Sequence, residues 1–367
     1  MERKASRVTG GAATVVEIGG IRIGHDPFPV IAGPCAVESE EQMLASAHAV
    51  ADAGAAILRA GAYKPSTTPY GFRGMGRDGV KLLAAAGAEV GLPVLTQVLE
   101  AKDAEETVDQ VDALEIGSGS MQDFELLRVV GRLGKPVLLR RGASATLDEW
   151  LWAAEYLLAE GNPNVVLVER GVRSFGGSTS DMLDITAVPH LKELTHLPVI
   201  VDPSHAAGDA IRVQPLALAA QGVGADGVII EVHSSPSTAK TDGPQLDASL
   251  FILLMASLGI HRLRGDIDQV DHQIVRLLAR RQNLALEIGR VKANRGLPIY
   301  MPDREAELMV MIEKEAERTG IDPGHVRALF QLVLSESRRQ QQIMRAAEES
   351  SLKPQAPSPK QEDSGEV

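Results

Sequence analysis

Eight short runs of apolar, β-branched residues recur over about 230 residues, each followed by a loop and then a helical pattern. Strands this apolar that alternate with helices indicate a parallel sheet buried on both faces. Their number and total length predict an α/β fold of the (β/α)₈ TIM-barrel type, with a doubly wound open sheet as the alternative. The opening VVEIGGIRIG (15–24) predicts a small hairpin that plugs the N-terminal end of the barrel. The eight runs are FPVIAGPC (28–35), AAILRAGAYK (55–64), LPVLTQVL (92–99), ALEIGS (113–118), PVLLRRG (136–142), VVLVERG (165–171), LPVIVDPSH (197–205) and ADGVIIEVH (225–233).

The pattern changes after residue 258, where apolar residues continue at helical spacing. We expect an all-α unit of three helices, followed by a polar, Pro-rich segment that is disordered. The predicted helices cover 261–295, 303–319 and 323–345, and GLPIYMP (296–302) forms the first break. The predicted domains are the barrel over 1–258, the helical domain over 259–346 and the tail over 347–367.

The composition restricts the partners of this chain. A net charge of −12 and an aromatic content of 3% argue against nucleic acid and anionic membranes. One cysteine excludes an intramolecular disulfide framework and suits a reducing compartment. The longest apolar run, LFILLMASLGI (250–260), is far short of a membrane span, and no secretory signal is apparent. We therefore expect a soluble cytoplasmic protein.

The C-terminal ends of the barrel strands, where barrel active sites lie, carry potential metal ligands. A thiol, an imidazole and two carboxylates follow strands one, seven and eight, and together they form a plausible divalent-metal site. This mixed soft and hard set suits Mn²⁺, Fe²⁺, Co²⁺ or Zn²⁺ better than Mg²⁺ or Ca²⁺. The alternative is a small buried cysteine and a core histidine without a ligand. The four residues are Cys35, His205, Glu231 and Asp242.

Five cations belong to the same predicted rim. Several cations beside a metal indicate a multiply charged, phosphorylated substrate. A metal beside such a cluster suggests carbonyl polarisation and attack by an enolate-like or phosphoenol nucleophile. A solvated charged rim without a ligand is the alternative. The five are Arg59, Lys64, Arg140, Arg141 and Arg173.

Six ordered motifs in this region resemble the type I-beta 3-deoxy-D-arabino-heptulosonate 7-phosphate (DAHP) synthases over residues 15–258: GPCAVES, RAGAYKP, MQDFELL, DPSHAAG, EVH and TDGPQ. The resemblance implies a metal-dependent condensation of phosphoenolpyruvate with erythrose 4-phosphate. It makes Cys35, His205, Glu231 and Asp242 the metal ligands and Lys64 a catalytic residue. It also implies substrate contacts, which fall on Arg59, Thr67, Arg140, Arg141 and Arg173.

Three positions depart from that family pattern. Gly119, in the stretch Gly117-Ser118-Gly119-Ser120, stands where the family has an arginine for the phosphate of phosphoenolpyruvate. Ser66 replaces an arginine expected on the phosphate of the second substrate, and Arg140 replaces a lysine. Arg73 is a candidate for compensation, and the amides of the Gly/Ser turn are another. A barrel with a different substrate and a non-catalytic barrel therefore stay open as alternatives.

Three cations on the long helix predict a second site. Arg281 and Lys292 are eleven residues apart, so they share a helix face at an axial distance of about 16 Å. Arg264 lies about 25 Å from Arg281 and is rotated by about 100°, so it cannot reach the same small ligand in one straight helix. If the three act together, Arg264 serves the site of a partner chain. A solvated basic face is the alternative.

Four segments of the helical unit resemble the AroQ-type chorismate mutases over residues 260–345: LRGDIDQVDHQIVRLLARR, EIGRVK, PDREAE and FQLVLSESRRQQQ. The resemblance implies an intertwined homodimer, with a tetramer as a further alternative, and a pericyclic rearrangement of chorismate to prephenate. In it, cations clamp two carboxylates while Lys292 and Gln341 stabilise charge on the ether oxygen. We also expect this unit to mediate feedback inhibition of the barrel. Met301 departs from a common acidic or amide residue. The implied site residues are Arg264, Arg281, Lys292, Arg304, Glu305, Ser337 and Gln341.

Overall fold

The computed structural model describes residues 3–7, 11–25, 27–66, 68–175, 181–241 and 243–351, with the backbone alone for 348–351. The chain divides into two compact units between Leu263 and Arg264. This division lies five residues beyond the end predicted for the barrel. The predicted bounds of the domains themselves stay predictions.

The first unit contains a closed barrel of eight parallel strands, as predicted. Each of the eight apolar runs supplies one strand. A strand of a parallel barrel is covered on both faces, so its residues are apolar without alternation. The barrel strands are β3 (Val30–Gly33), β4 (Ile57–Arg59), β5 (Val94–Val98), β6 (Ala113–Ile116), β7 (Val137–Arg140), β8 (Val165–Glu169), β11 (Val199–Val201) and β12 (Val228–Glu231). The strands outside it are β1 (Val16–Ile18), β2 (Ile21–Ile23), β9 (Val172–Arg173) and β10 (Asp181–Met182).

Helices follow the strands and cover the outside of the barrel. Local sequence fixes several of their starts: Thr146 and Glu149 form a reciprocal capping box at α5, and Asp123 caps α4. The helices of this unit are α1 (Glu40–Asp52), α2 (Gly76–Val90), α3 (Ala101–Thr107), α4 (Phe124–Leu133), α5 (Leu147–Ala159), α6 (Ala187–Leu194), α7 (Ser204–Ala207) and α8 (Val213–Gly222). Single 3₁₀ turns cover Val108–Gln110, Ser118–Ser120, Ala210–Arg212 and Pro236–Thr238.

The hairpin expected over 15–24 is present as the antiparallel pair β1–β2. Its buried residues Val16, Ile18 and Ile23 belong to one apolar cluster with barrel-interior residues such as Ile31 and Leu138. The hairpin thus packs against the interior residues of the barrel. The opposite end of the barrel, at the C-terminal ends of the strands, is the end where barrel active sites lie.

The helical unit contains the part of α9 (Ala248–Asn294) that follows Leu263, together with α10 (Pro302–Thr319) and α11 (Pro323–Ser351). The predicted start of the long helix at residue 261 is wrong, because α9 begins at Ala248 and is continuous. Gly259 and Gly265 are the weakest helix formers in that stretch, and isolated glycines lower helix stability without ending a helix. Residues 347–351 are helical too, which corrects the start of the predicted tail; residues 352–367 lie outside the described chain.

Among the described residues, α9 is long and apolar enough to span a membrane by length and composition alone, with 17% of the relevant stretch buried. One such helix is weak support for a span. Several of its apolar side chains are exposed in the single chain, including Ile267, Val270, Ile274 and Leu277.

Candidate functional sites

The C-terminal ends of the barrel strands converge on a buried charge network. Glu115 of β6, which is completely buried, accepts hydrogen bonds from two guanidiniums. Arg59 at the end of β4 reaches it with Nε at 3.3 Å and Nη2 at 3.2 Å. Arg140 at the end of β7 reaches it with Nε at 2.7 Å. Glu115 therefore fixes the orientation of both arginines.

The network continues from each arginine to another strand. Arg59 Nη1 donates to Glu231 at 2.8 Å, and Arg140 Nη1 donates to Asp202. Asp202 lies 2.8 Å from Nδ1 of His205, whose Nε2 is 3.6 Å from Glu231. One chain of alternating charges thus links strands β4, β6, β7, β11 and β12.

The pKa values of this network favour the charged forms. Burial opposes ionisation of Glu115, but Arg140 and Arg59 outweigh it and hold the pKa of that carboxyl well below its ordinary value. Burial likewise opposes the charge on Arg59, yet Glu115 and Glu231 raise its pKa well above the ordinary value. Charges so buried persist because each has a hydrogen-bonded partner of opposite sign.

Three of the four predicted metal ligands lie close together. Cys35, His205 and Glu231 lie at this rim, whereas Asp242 lies outside the described residues. Burial, and then the charge of Glu231, raise the pKa of the Cys35 thiol. Within the described residues no group of three acidic, histidine or cysteine side chains has metal-binding geometry.

The residues present nevertheless fit a divalent cation. The contact of His205 Nδ1 with Asp202 leaves Nε2 toward Glu231, which is the usual outer-shell arrangement of a histidine ligand. In the ion pairs of this rim, three guanidiniums face five carboxylates, and Lys64 is a further cation near Glu231. The ion pairs join Arg59, Arg140 and Arg141 to Glu115, Glu169, Asp184, Asp202 and Glu231.

The remaining predicted barrel residues are spread around this centre. Lys64 is half-buried and close enough to Cys35 and Glu231 to affect both pKa values. Arg141 pairs with Glu169 at 2.8 Å and with Asp184 at 2.9 Å. Arg173 is exposed on β9, and Thr67 lies outside the described residues. Arg141 is therefore committed to carboxylates of its own chain.

The Gly/Ser stretch forms a 3₁₀ turn over Ser118–Ser120, directly after β6. It borders a cavity of about 440 Å³ whose described lining contains no cation; Glu149 is its one charged residue. A Cβ built on Gly119 meets nothing within 4 Å, so a larger side chain fits there. Ser118 Oγ is buried and has no hydrogen-bond partner in the described chain. Among its described residues, this part of the rim thus lacks a cation where the resemblance predicts an arginine.

The other departures have local roles. The Ser66 hydroxyl donates to the carbonyl of Thr68 at 2.6 Å and accepts from its amide at 3.3 Å. Arg73 is exposed on the same loop, where its carbonyl accepts from the amide of Lys64 at 3.0 Å. Ser66 thus stabilises its own turn.

Glu115 is the barrel residue that the sequence reasoning missed. The signal was present, because a glutamate in the apolar run ALEIGS must be buried and therefore paired. The sequence could not name its partners, because Arg59 is 56 residues away and Arg140 is 25 residues away.

The helical unit holds a separate cavity of about 410 Å³, which we call the helical cavity. Six of the seven residues predicted for the second site line it, and Arg264 does not. Its apolar wall includes Leu284, Ile288 and Leu308, so a ligand ring is shielded from water. The six residues are Arg281, Lys292, Arg304, Glu305, Ser337 and Gln341.

Hydrogen bonds orient the polar groups of the helical cavity. Arg281 Nη1 donates to Ser337 Oγ at 2.7 Å, and Lys292 Nζ donates to the carbonyl of Ile299 at 2.7 Å. Gln341 is buried and its Nε2 donates to the carbonyl of Ala285 at 2.6 Å. The polar groups are thereby positioned before any ligand arrives.

Arg338 is a further lining residue, and the sequence reasoning missed it. Its Nη1 donates to Glu305 at 2.5 Å, and its guanidinium lies 5.3 Å from the ring centre of Tyr300. Four cations therefore face one carboxylate, Glu305, around the helical cavity. Burial lowers the pKa of Arg281, and Glu305 partly offsets this effect. The cavity suits an anion with more than one acidic group.

Comparisons with known proteins find two families along the chain. Residues 8–250 match the DAHP synthetase I family, and residues 263–342 match chorismate mutase type II. A phospho-2-dehydro-3-deoxyheptonate aldolase of Thermotoga maritima is 44% identical over 239 residues, which are 65% of this chain and 71% of that protein. A 2-dehydro-3-deoxyphosphooctonate aldolase of Nitrobacter hamburgensis is 34% identical over 254 residues, 64% of this chain and 88% of that protein.

The likeness extends to solved structures. The crystal structure of the Thermotoga maritima DAHP synthase aligns with a TM-score of 0.68 and 40% identity, covering 72% of this chain and 77% of that chain. A truncated form of the synthase aligns with a TM-score of 0.65 over 96% of its length. This chain belongs to the DAHP synthetase I family, and its barrel is fused to a C-terminal type II chorismate mutase domain.

Proposed function

We propose that this chain is a bifunctional enzyme of aromatic biosynthesis. The barrel condenses phosphoenolpyruvate with erythrose 4-phosphate to DAHP, and the helical domain converts chorismate to prephenate. The observation that carries the proposal is that each unit gathers its own set of predicted residues in one place. Both reactions use small soluble anions, and the single cysteine supports a cytoplasmic location as part of this proposal.

In the barrel, Arg59 and Lys64 bind the carboxylate and phosphate of phosphoenolpyruvate, and Arg173 adds charge from the rim. Cys35, His205, Glu231 and Asp242 hold a divalent ion of the Mn, Fe, Co or Zn type. Such an ion would polarise the aldehyde carbonyl of the second substrate. The residues orient the two substrates so that C3 of the enol faces that carbonyl. Water then adds to C2, and phosphate leaves.

A second candidate for the barrel is a condensation with a different aldehyde or enol. The absence of a cation from the described lining of the cavity beside Gly119, and the local role of Ser66, favour it, because both positions lack a positive charge expected for phosphate. Relatives whose names specify an eight-carbon acid also match the barrel at 34% identity. A third candidate is a barrel that acts only as a scaffold, so that the mutase domain alone is catalytic.

In the helical cavity, the cations bind the two carboxylates of chorismate and hold its reactive chair. Lys292 and Gln341 donate to the ether oxygen, where negative charge develops as the C–O bond breaks. Glu305 accepts a hydrogen bond from the substrate hydroxyl. No nucleophile is needed.

We also infer a homodimer formed through the helical domain. Ile267, Val270, Ile274 and Leu277 are spaced alternately by three and four residues and are all exposed in the single chain. This spacing is the seam of a helix–helix interface, which a second copy would cover. Dimerisation would also bring Arg264 to the partner's site. Feedback inhibition through the mutase domain is a further part of this proposal.

The barrel assignment is tested with purified protein, Mn²⁺, phosphoenolpyruvate and erythrose 4-phosphate, by loss of the enol absorbance. We expect turnover that EDTA and Cys35→Ala abolish. Bound metal without turnover supports a different substrate, and a protein that binds no metal supports the scaffold. Gly119→Arg separates the first two cases: tighter phosphoenolpyruvate binding indicates a weakened synthase, and no gain indicates another substrate.

Dimer sharing is tested by mixing Arg264→Ala chains with Arg281→Ala chains. Hybrid dimers that share sites contain one intact site, so we expect part of the mutase activity to return. Failure of rescue, in a mixture shown to exchange subunits, contradicts the shared site.

A further inference from the structure

The largest of the cavities described here lies apart from both sites. It has a volume of about 470 Å³ and belongs to the first unit, and we call it the base cavity. It is bordered by the hairpin turn at Gly20, by the first residue of β3 and by Ala56, which precedes β4. These positions are at the N-terminal end of the barrel strands. The barrel site lies at their opposite end, so the base cavity is not part of it.

The wall of the base cavity is apolar on two sides. Met255, Leu258, Gly259 and Arg262 follow the i, i+3, i+4, i+7 spacing and form one face of α9. The loop residue Phe28 and the prolines beside it also line the cavity. A volume in this range suits a small organic molecule.

Two cations stand at the exposed edge of this apolar wall. Arg22 and Arg262 both line the base cavity, and both are exposed. Glu17 is opposite Arg22 in the hairpin register. In the described part of the chain, neither guanidinium forms an ion pair or a side-chain hydrogen bond. An acidic group at this edge would therefore meet two guanidiniums that form no ion pair among the described residues.

Gln221 is a third polar residue in the wall, and one of its two polar atoms lacks a partner. Gln221 donates from Nε2 to the carbonyl of Leu258 at 3.4 Å, which is a long hydrogen bond. Its Oε1 is buried and has no partner among the described residues. The terminal torsion of glutamine is broad, and Gln221 lines the cavity, so its amide can rotate to meet a donor there. A buried acceptor without a donor is costly, and a ligand hydroxyl or ammonium would remove that cost.

We propose that the base cavity is a binding site for a small amphipathic carboxylate. Its apolar body lies between Phe28 and the α9 face, and its acidic group lies against Arg22 and Arg262. A donor on the ligand satisfies Gln221. The occupant is an effector and not a substrate, because the cavity is lined by the start of β3 whereas Cys35 follows its other end.

The test is calorimetric titration of the full chain with 3-phenylpropionate, using 3-phenylpropanol as the uncharged probe of similar shape. We expect the acid to bind about tenfold more tightly than the alcohol, as one well-formed charge interaction provides. The Arg22→Ala/Arg262→Ala double variant should reduce the affinity for the acid to that for the alcohol. Met255→Trp should fill the cavity and abolish binding of both probes.

Arg281→Ala is the matched control, because the helical cavity also attracts carboxylates. A preference for the acid over the alcohol that persists in this variant and is lost in Arg22→Ala/Arg262→Ala supports the base cavity. Equal affinity for acid and alcohol overturns the proposal. So does wild-type affinity in the double variant, or the absence of saturable heat up to about 10 mM probe. Since Arg22 and Arg262 are exposed, the double variant should unfold at the wild-type temperature, which excludes misfolding as the cause of lost binding.

Discussion

The barrel site and the helical cavity use arginines in opposite ways. In the barrel, Arg59 and Arg140 are buried and each pairs with two carboxylates of the chain. In the helical cavity, Arg281 is bound by the Ser337 hydroxyl, and one carboxylate faces four cations. The barrel arginines are therefore fixed by an internal network, whereas the helical cations keep an excess of charge for a ligand. The number of cations in a site is therefore not by itself a measure of the affinity of that site for anions.

The largest expected effect comes from removing the shared carboxylate of the barrel. Glu115→Ala leaves two buried guanidiniums without their common partner, and we expect a loss of about 3–5 kcal/mol in the free energy of unfolding. Urea unfolding followed by circular dichroism measures it. Glu160→Ala, which removes the half-buried partner of the exposed Arg132, is the control and should change little. If Glu115→Ala unfolded at the same urea concentration as Glu160→Ala, the charge network would not stabilise the barrel.

The next effect concerns the helical cavity. Lys292→Ala removes the cation expected at the ether oxygen, and we predict a loss of about 10²–10³ in kcat for chorismate with the oligomeric state unchanged. Lys314→Ala, an exposed lysine of α10 that does not line the cavity, should keep full activity. A fully active Lys292→Ala enzyme would contradict the site assignment.

A smaller effect should follow from Arg338→Met. This change removes the partner of Glu305 but keeps the apolar stem, and we predict a fall of about tenfold in kcat/KM for chorismate. Arg339→Met is the neighbouring control, because Arg339 is exposed and pairs with Glu336. Equal activity of the two variants would show that Arg338 does not position Glu305.

The smallest effect is a slope in the pH dependence of barrel stability. The pKa of Glu115 is lower in the folded chain than in the unfolded chain. Its contribution is therefore complete above about pH 4.5 and is lost as the pH falls toward the folded value. Below that pH, wild type should lose about 1.4 kcal/mol per pH unit more than Glu115→Gln does. If the free energy of unfolding fell equally with pH in wild type and in Glu115→Gln, other groups would cause the loss of stability in acid.

The same contrast explains what the sequence could predict. The eight strands follow from their apolar runs, because burial on both faces leaves a local pattern. In the helical cavity, helix spacing links Arg281 with Lys292, and the other four residues follow from local motifs of the resemblance. The pairing of Arg59 with Glu231 spans 172 residues, and no local pattern encodes it. The sequence reasoning did not predict that α9 is continuous. The pattern of apolar residues changes near residue 258 because the surroundings of the helix change, while the helix itself continues.

The central claim is that one chain carries two independent activities. It is tested most directly by assaying both reactions in three preparations: wild type, Cys35→Ala and Lys292→Ala. We predict that wild type consumes phosphoenolpyruvate with erythrose 4-phosphate and also converts chorismate to prephenate. Cys35→Ala should lose the first reaction alone, and Lys292→Ala the second alone. A wild-type enzyme that rearranges chorismate but leaves phosphoenolpyruvate unchanged, with Mn²⁺ bound, would contradict the account.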